Sequence, residues 1–245
     1  MKKKRLDQLL VEREIVETFS KAQALILAGE IFVEKKRITK AGEQIPLNAE
    51  IQWINTKPKY VSRGGIKLAK ALEHFLIQPF HWYCLDIGAS TGGFTDCLLQ
   101  NGADHVFALD VGKGQLDPKI RHDIRVTWKE SFHVKKLKPE HLIQLVDLVV
   151  IDVSFISLQK VAPFVVPCIQ PSGILLALIK PQFEAPAKDL SKGGVLRDEN
   201  RRQKILYQIV RLAENEWNLK EVKTVDAAIK GPKGNQETFL FGRKI

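Results

Sequence analysis

The sequence predicts an α/β protein: a doubly wound, mostly parallel sheet with an antiparallel last strand, preceded by a small α+β module. Three observations carry this. From residue 82 onward, apolar strand-like stretches alternate with helical ones. The alternation ends in two strand-like stretches joined by a loop with no helix. The opening stretch departs from that rhythm and holds most of the excess charge: residues 1–70 carry 15 Lys and Arg against 8 Asp and Glu, a net +7 of the chain's +10.

Composition narrows the classes. A chain of 245 residues with 44% apolar content is long enough for one large domain, or one ordinary domain with a small one attached, and too apolar to be mainly disordered. The longest wholly apolar run, Ile174 to Ile179, is far too short to span a bilayer. The basic start Lys2-Lys3-Lys4-Arg5 is followed by Asp7, Glu12, Arg13 and Glu14, which interrupt any signal-peptide core. Cys84, Cys97 and Cys168 match no zinc or disulfide spacing, so a reduced, cytoplasmic setting without a metal is expected. The basic front end points to a polyanion, nucleic acid before an anionic membrane.

The module, residues 1–57, reads as follows. Leu6, Leu9, Leu10 and Arg13 have helical spacing. A second helix is expected from Ser20, with Ser20 and Gln23 as a capping box, ending at Gly29. Residues 31–33 read as a strand, 34–37 as a turn, and 45–54 as one or two short strands. Lys2, Lys3, Lys4, Arg5, Lys21, Lys35, Lys36, Arg37 and Lys40 are the candidate RNA-facing cations; on charge alone they read equally well as a solvated surface. The order Arg5-Leu6-Asp7, Ser20-Lys21-Ala22, Ala28-Gly29, Val33, Gly42, Ile45 resembles the ribosomal-protein S4-type RNA-binding domain, which implies that the cations contact structured RNA. Residues 58–63 read as a linker, with Arg63 a further candidate RNA contact.

The second region, residues 64–245, opens with a helix from 64 to about 77 whose apolar stripe is Ile66, Leu68, Ala69, Leu72 and Phe75. Strands are expected at 82–87, 105–110, 125–130, 145–152 and 173–180, helices at 92–101, 136–144, 155–168 and 197–216, and a final antiparallel pair at 220–227 and 237–244. A doubly wound sheet with that ending resembles the Rossmann-like fold of S-adenosylmethionine (SAM)-dependent methyltransferases.

The run Asp86-Ile87-Gly88-Ala89-Ser90-Thr91-Gly92-Gly93-Phe94 ends the first strand and opens a helix. Glycines let backbone pass close to a ligand, and a helix N-terminus offers free N–H groups. The spacing differs from the G-x-G-x-x-G of dinucleotide sites. Asp86 at the strand end suits a cationic ligand such as SAM, and Asp110, ending the next strand, suits ribose hydroxyls. Gly88, Ser90, Gly92, Gly93 and Phe94 complete the candidate cofactor site, with Glu130 for the adenine end or as a solvated carboxylate.

Lys67, Asp152, Lys180 and Glu237 fall on the helix before the first strand, at two strand ends, and at the start of the last strand. In such a sheet these places share the edge that carries ligands. A ribose 2′-hydroxyl is a poor nucleophile, and a neutral lysine amine can take its proton; a second cation favours the neutral form, while carboxylates orient the amines. Singly, each residue has an ordinary reading: a solvated lysine, a helix cap at Asp152, a Lys180–Glu237 ion pair. Together with Ser62-Arg63-Gly64-Gly65, Asp152-Val153-Ser154-Phe155, Lys180-Pro181-Gln182-Phe183-Glu184 and Gly234-Asn235, they resemble the TlyA (hemolysin A) family of FtsJ-type ribosomal RNA 2′-O-methyltransferases. That resemblance implies a Lys-Asp-Lys-Glu catalytic set and methylation of a cytidine ribose in rRNA or ribosomal subunits. The chain departs from the family at 227–230, Ala-Ala-Ile-Lys, where Ser-Pro is usual. The loop 181–194 is expected either to close over RNA or to be passive surface. A non-catalytic assembly factor, a cytolysin and a nicotinamide oxidoreductase are the competing readings, and the cytolysin lacks any spanning element.

Overall fold

The computed structural model describes residues 2–54 and 58–245 and divides the chain into two compact units, 1–58 and 59–245. The sequence-expected boundary at residue 57 lies outside the described residues.

In the first unit, β1 (Lys3–Arg5) leads into α1 (Leu6–Glu12) and α2 (Phe19–Leu27), followed by β2 (Ile31–Val33), β3 (Lys36–Ile38), β4 (Gln44–Pro46) and β5 (Ile51–Trp53). Strands pair antiparallel as β1–β4 and as β3–β2–β5. The helices close over Leu6, Leu9, Leu10, Ala22, Ile26, Ile31 and Ile45. Two local expectations are corrected. The cap of α2 is Thr18, whose hydroxyl accepts from Lys21 N at 3.2 Å, so Ser20 lies inside the first turn and Gln23 turns instead toward Asp7. The turn is confined to Glu34 and Lys35, both at positive φ, so Lys36 and Arg37 belong to β3. Gly29 adopts the left-handed conformation expected after the helix.

The second unit is a seven-stranded sheet. Its strands are β6 (Tyr83–Ile87), β7 (His105–Leu109), β8 (Val126–Lys129), β9 (Val146–Ile151), β10 (Ile169–Ile179), β11 (Leu219–Asp226) and β12 (Thr238–Lys244), in the order β11-β12-β10-β9-β6-β7-β8. The pairs β8–β7, β7–β6, β6–β9 and β9–β10 are parallel; β12 runs antiparallel to both β10 and β11. Alternate residues of the inner strands enter different cores. Leu85, Ile87, Val149, Ile151, Leu175 and Ala177 pack on one face, and Cys84, Leu148, Val150, Leu176 and Leu178 on the other. Burial on both faces explains why the strands read as continuous apolar runs. The sheet reverses direction of growth between β6 and β9, and their carboxyl ends form the crevice where such sheets bind ligands.

Helices α3 (Arg63–His74), α4 (Gly93–Gln100), α5 (Pro118–Arg121), α6 (Ala162–Val165), α7 (Pro181–Glu184) and α8 (Glu199–Asn215) surround the sheet. The helix expected at 136–144 is absent; 3₁₀ turns at Val134–Lys136 and Pro139–His141 take its place. Pro139 forces Lys138 into an extended conformation, which ends helical structure there. The helix expected at 155–168 is broken into Leu158–Lys160, α6 and Val166–Cys168, because Pro163 and Pro167 supply no N–H. Residues 59–63, expected in a linker, belong to the second unit. Tyr60 is buried beneath Gly65, Val61 N donates to Asp96 Oδ2 at 2.9 Å, and Ser62 caps α3 by accepting from Gly64 N. On α3 itself Leu68 and Leu72 are buried and Ala69 and Phe75 pack against the core as the stripe predicts, but Ile66 is exposed and Lys67 is buried.

Candidate active site

A cavity of about 610 Å³ opens at the crevice between β6 and β9. Lys67, Asp152, Lys180 and Glu237 all line it, brought from α3, the end of β9, the end of β10 and the start of β12. They form two ion pairs. Lys67 Nζ donates to Glu237 Oε2 at 2.5 Å, with the glutamate side chain only 2% exposed. Lys180 Nζ contacts Asp152 Oδ1 at 2.5 Å and donates to Ser154 Oγ at 3.0 Å. Lys180 therefore pairs with Asp152, not with Glu237, and Asp152 caps no helix. The antiparallel return of β12 puts Glu237 at this edge, one residue before the strand begins. Its own carbonyl accepts from Ala227 N at 2.8 Å, which fixes the start of the strand. Arg202 braces the same place from α8, donating to Asp226 Oδ1 at 2.7 Å and Thr238 Oγ1 at 3.0 Å.

Gly88, Ser90, Gly93 and Phe94 line the cavity beside these pairs. Gly88 has φ +84°, and a Cβ there would sit 2.5 Å from the Asp152 carbonyl oxygen. A Cβ at Gly93 would strike the Ser62 hydroxyl. Only glycine lets the β6–α4 turn lie this close to the neighbouring strand end. Gly92, at φ +90°, caps α4 and faces Leu116 and Ile120, away from the cavity lining. A turn offering backbone N–H groups on one side and the Asp152 carboxylate on the other fits a ligand that carries both a carboxylate and a sulfonium.

The acidic residues expected to hold the cofactor are differently engaged. Asp86 does not face the cavity: it is 0% exposed, and its Oδ2 accepts from Thr95 Oγ1 at 2.7 Å in the first turn of α4. Burial pushes its carboxyl up to about 7, the Thr95 hydroxyl pulling the other way. Oδ1 has no hydrogen-bond partner among the described residues. Asp110 accepts Ser90 N at 2.8 Å and Gly112 N at 2.6 Å, so it braces the glycine turn and its own loop. Each oxygen keeps a further lone pair. Glu130 is neither solvated nor free. It accepts the N–H groups of Gly114, Gln115 and Leu116 and pairs with Arg121, and the backbone bond from Gly114 leads the lowering of its pKa.

Three residues at the site stand in the runs that carry the resemblance but had no role assigned from the sequence. Phe155 is 91% exposed at a left-handed φ of +63°, with the Phe183 ring 5.1 Å away, and both line the cavity. Glu184 accepts from Ser157 Oγ at 2.5 Å and Leu158 N at 2.6 Å, tying the loop after β9 to the one after β10; burial raises its pKa and these two bonds oppose the rise. Asn235 donates to Gly194 O and accepts from Leu196 N, stitching the 181–194 loop to the 228–236 loop. Spacing alone offered no signal for either contact.

In the first unit, the candidate RNA contacts divide. Lys4 pairs with Glu12 at 2.7 Å, and Arg5 makes two bonds to Asp7. Arg37 donates to the carbonyls of Gly29 and Ala28, closing the end of α2. Lys21, Lys35 and Lys36 are exposed and make no side-chain ion pair among the described residues. Arg63, in the second unit, is exposed at the start of α3 and lines the cavity.

Residues 60–244 match the FtsJ-like methyltransferase family and residues 4–51 match the S4 domain. Hemolysin A of Brachyspira hyodysenteriae is 44% identical over 95% of this chain and 97% of its own length. The 16S/23S rRNA (cytidine-2′-O)-methyltransferase TlyA of Mycobacterium tuberculosis is 39% identical over 98% of this chain and 89% of its own. A solved hemolysin-named structure from Streptococcus thermophilus superposes with a TM-score of 0.75 at 36% identity, covering 100% of this chain and 89% of that one. An O-methyltransferase from Bacillus cereus shares the fold at a TM-score of 0.54 and 15% identity, over 78% of this chain and 85% of that one. With two lysine–carboxylate pairs beside a glycine turn at the sheet's switch point, and with these matches spanning nearly its whole length, the chain belongs to the FtsJ-like methyltransferase family and carries an S4 domain ahead of its catalytic domain.

Proposed function

We propose that the chain methylates a ribose 2′-hydroxyl, that of a cytidine, in ribosomal RNA, using SAM. The observation that carries this is the convergence of Lys67–Glu237 and Lys180–Asp152 on one cavity beside the glycine turn. The rRNA (cytidine-2′-O)-methyltransferase activity named for relatives at 38–39% identity supports the substrate class.

SAM supplies an electrophilic methyl group. Gly88, Ser90, Gly93 and Phe94 are the residues to hold it, with Asp110 for its ribose hydroxyls. Lys180, in its neutral form, receives the 2′-hydroxyl proton, and Asp152 keeps that amine in place. Lys67, held by Glu237, presents a fixed positive charge to the oxygen as it loses its proton. General-base assistance of this kind is worth about 10²–10⁴-fold, and positioning supplies much of the rest. Phe155 and Phe183 offer a stacking surface for the base whose ribose enters the cavity. Lys21, Lys35, Lys36 and Arg63 contact phosphates. A ribosomal substrate makes the cytoplasm the working compartment. Among the described residues no helix is long and apolar enough to cross a membrane.

The test is to incubate the purified chain with labelled SAM and ribosomal subunits lacking the modification, then digest the RNA to nucleosides. Labelled 2′-O-methylcytidine is the expected product. Measurable SAM binding without transfer to any RNA would instead make the chain a binding factor.

A further inference from the structure

We propose that Glu184 is a positioning residue: it ties together the two loops that carry Phe155 and Phe183, and so sets the aromatic surface against which the target base rests. The inference rests on the proposed stacking role of those two rings. Phe155 follows β9 and Phe183 lies on α7, after β10, so the rings come from different loops. Their centroids are 5.1 Å apart, with the planes at 46°. The Phe155 segment is not fixed from within. Among the described residues, Val153, Ser154, Phe155 and Ile156 lie outside any helix or strand and make no backbone–backbone hydrogen bond. Val153 and Ile156 pack against the core, but apolar contact is non-directional and does not set where the Phe155 ring lies. The directed bonds come from side chains of the other loop. Lys180 donates to Ser154 Oγ at 3.0 Å on the near side of Phe155. On the far side, Glu184 Oε2 accepts from Ser157 Oγ at 2.5 Å and Oε1 from Leu158 N at 2.6 Å.

Phe183 and Glu184 are neighbours on one four-residue helix, α7. The carboxylate that grips the Phe155 loop and the ring that meets Phe155 therefore move as one body. Both rings line the cavity and Glu184 does not, so Glu184 acts on the nucleotide through the rings. Alanine at 184 leaves the N–H of buried Leu158 without its partner and frees the two loops to slide. Glutamine keeps the tie: its oxygen accepts from Leu158 N, and its NH₂ donates to a lone pair of the Ser157 hydroxyl.

A double-mutant cycle on methyl transfer to ribosomal subunits, with the full chain and SAM, tests this. Wild type must transfer; if it does not, the parent reading falls and this inference with it. Glu184→Ala is expected to lower kcat/KM for the subunits about 10-fold, and Glu184→Gln less than about two-fold. Ser157→Ala removes one of the two bonds from the opposite loop and is expected to fall between them. In the Phe155→Ala background, Glu184→Ala should cost less than about two-fold more, because the ring it positions is gone. The Kd for S-adenosylhomocysteine should change less than about two-fold throughout. A merely structural role predicts the same Glu184→Ala loss in both backgrounds, and that result would overturn the proposal. So would a Glu184→Ala variant close to wild type, a glutamine variant no better than alanine, or a loss appearing in S-adenosylhomocysteine affinity. Full activity in Phe155→Ala would also overturn it, while leaving methyl transfer itself standing.

Discussion

The two halves of the sheet's ligand edge behave differently. Beyond β9, β10 and β12, the residues singled out from the sequence, Asp152, Lys180 and Glu237, reach the cavity and meet partners of opposite charge. Beyond β6, β7 and β8, the carboxylates Asp86, Asp110 and Glu130 occupy equivalent strand ends yet are engaged with Thr95, Ser90 and the 114–116 backbone. A strand-end place tells where a side chain is, not what it bonds. On the lysine side the unlike charges come from four distant segments, so only a shared cavity brings them together. On the acidic side each carboxylate meets N–H or O–H donors of the neighbouring segment at the same edge: the first turn of α4 for Asp86, the glycine turn for Asp110 and the loop after β7 for Glu130.

Removing one partner of a buried pair gives the largest expected effect. Lys67→Met strands the Glu237 carboxylate, and stability should fall by about 3–5 kcal/mol in a denaturant titration. A change below 1 kcal/mol would mean the pair is not buried as described. Next comes Glu130→Gln, which cannot satisfy the loop as a carboxylate does. Hydrogen exchange at Gly114, Gln115 and Leu116 of the free protein should speed by about 10-fold or more. Unchanged exchange would return Glu130 to a purely ligand-directed role.

Asp86 gives a smaller effect with a definite sign. Its folded pKa of about 7 lies above the ordinary carboxylate value of 3.8. Between those values the unfolded chain has released the proton and the folded one has not. Asp86 therefore loses stability for the fold as pH rises through that window, and the loss levels off above it. The melting temperature of wild type relative to Asp86→Asn should fall from pH 4.5 to 7.5; a flat difference would contradict the buried, protonated carboxyl. The smallest effects lie in the S4 domain. Lys35→Ala and Lys36→Ala should each weaken RNA binding a few-fold and reduce the salt slope by about one unit, with little change in stability. Arg37→Ala should instead cost about 1 kcal/mol of stability, because its bonds close α2.

Much of this was legible beforehand, for physical reasons. Strands buried on both faces write continuous apolar runs, so β6, β7, β9 and β10 were visible. The hairpin ending was visible because too little chain separates 226 from 238 for a crossover helix. The helices expected at 136–144 and 155–168 are broken at Pro139, Pro163 and Pro167, which supply no N–H. Lys67 shows the limit most clearly. Its helix stripe was read without it, since spacing treats a lysine as solvent-facing, yet its partner 170 positions away draws it inside. Glu184 and Asn235 stand in the runs that carry the resemblance, yet no local pattern gives the contacts they make between loops.

The central claim is that Lys180 accepts the proton of the attacking hydroxyl. The most direct measurement pairs S-adenosylhomocysteine titration with single-turnover methyl transfer to ribosomal subunits, for wild type and Lys180→Ala. The account predicts near-normal ligand affinity and a transfer rate lower by about 10²-fold or more. Transfer at a rate close to wild type would contradict it.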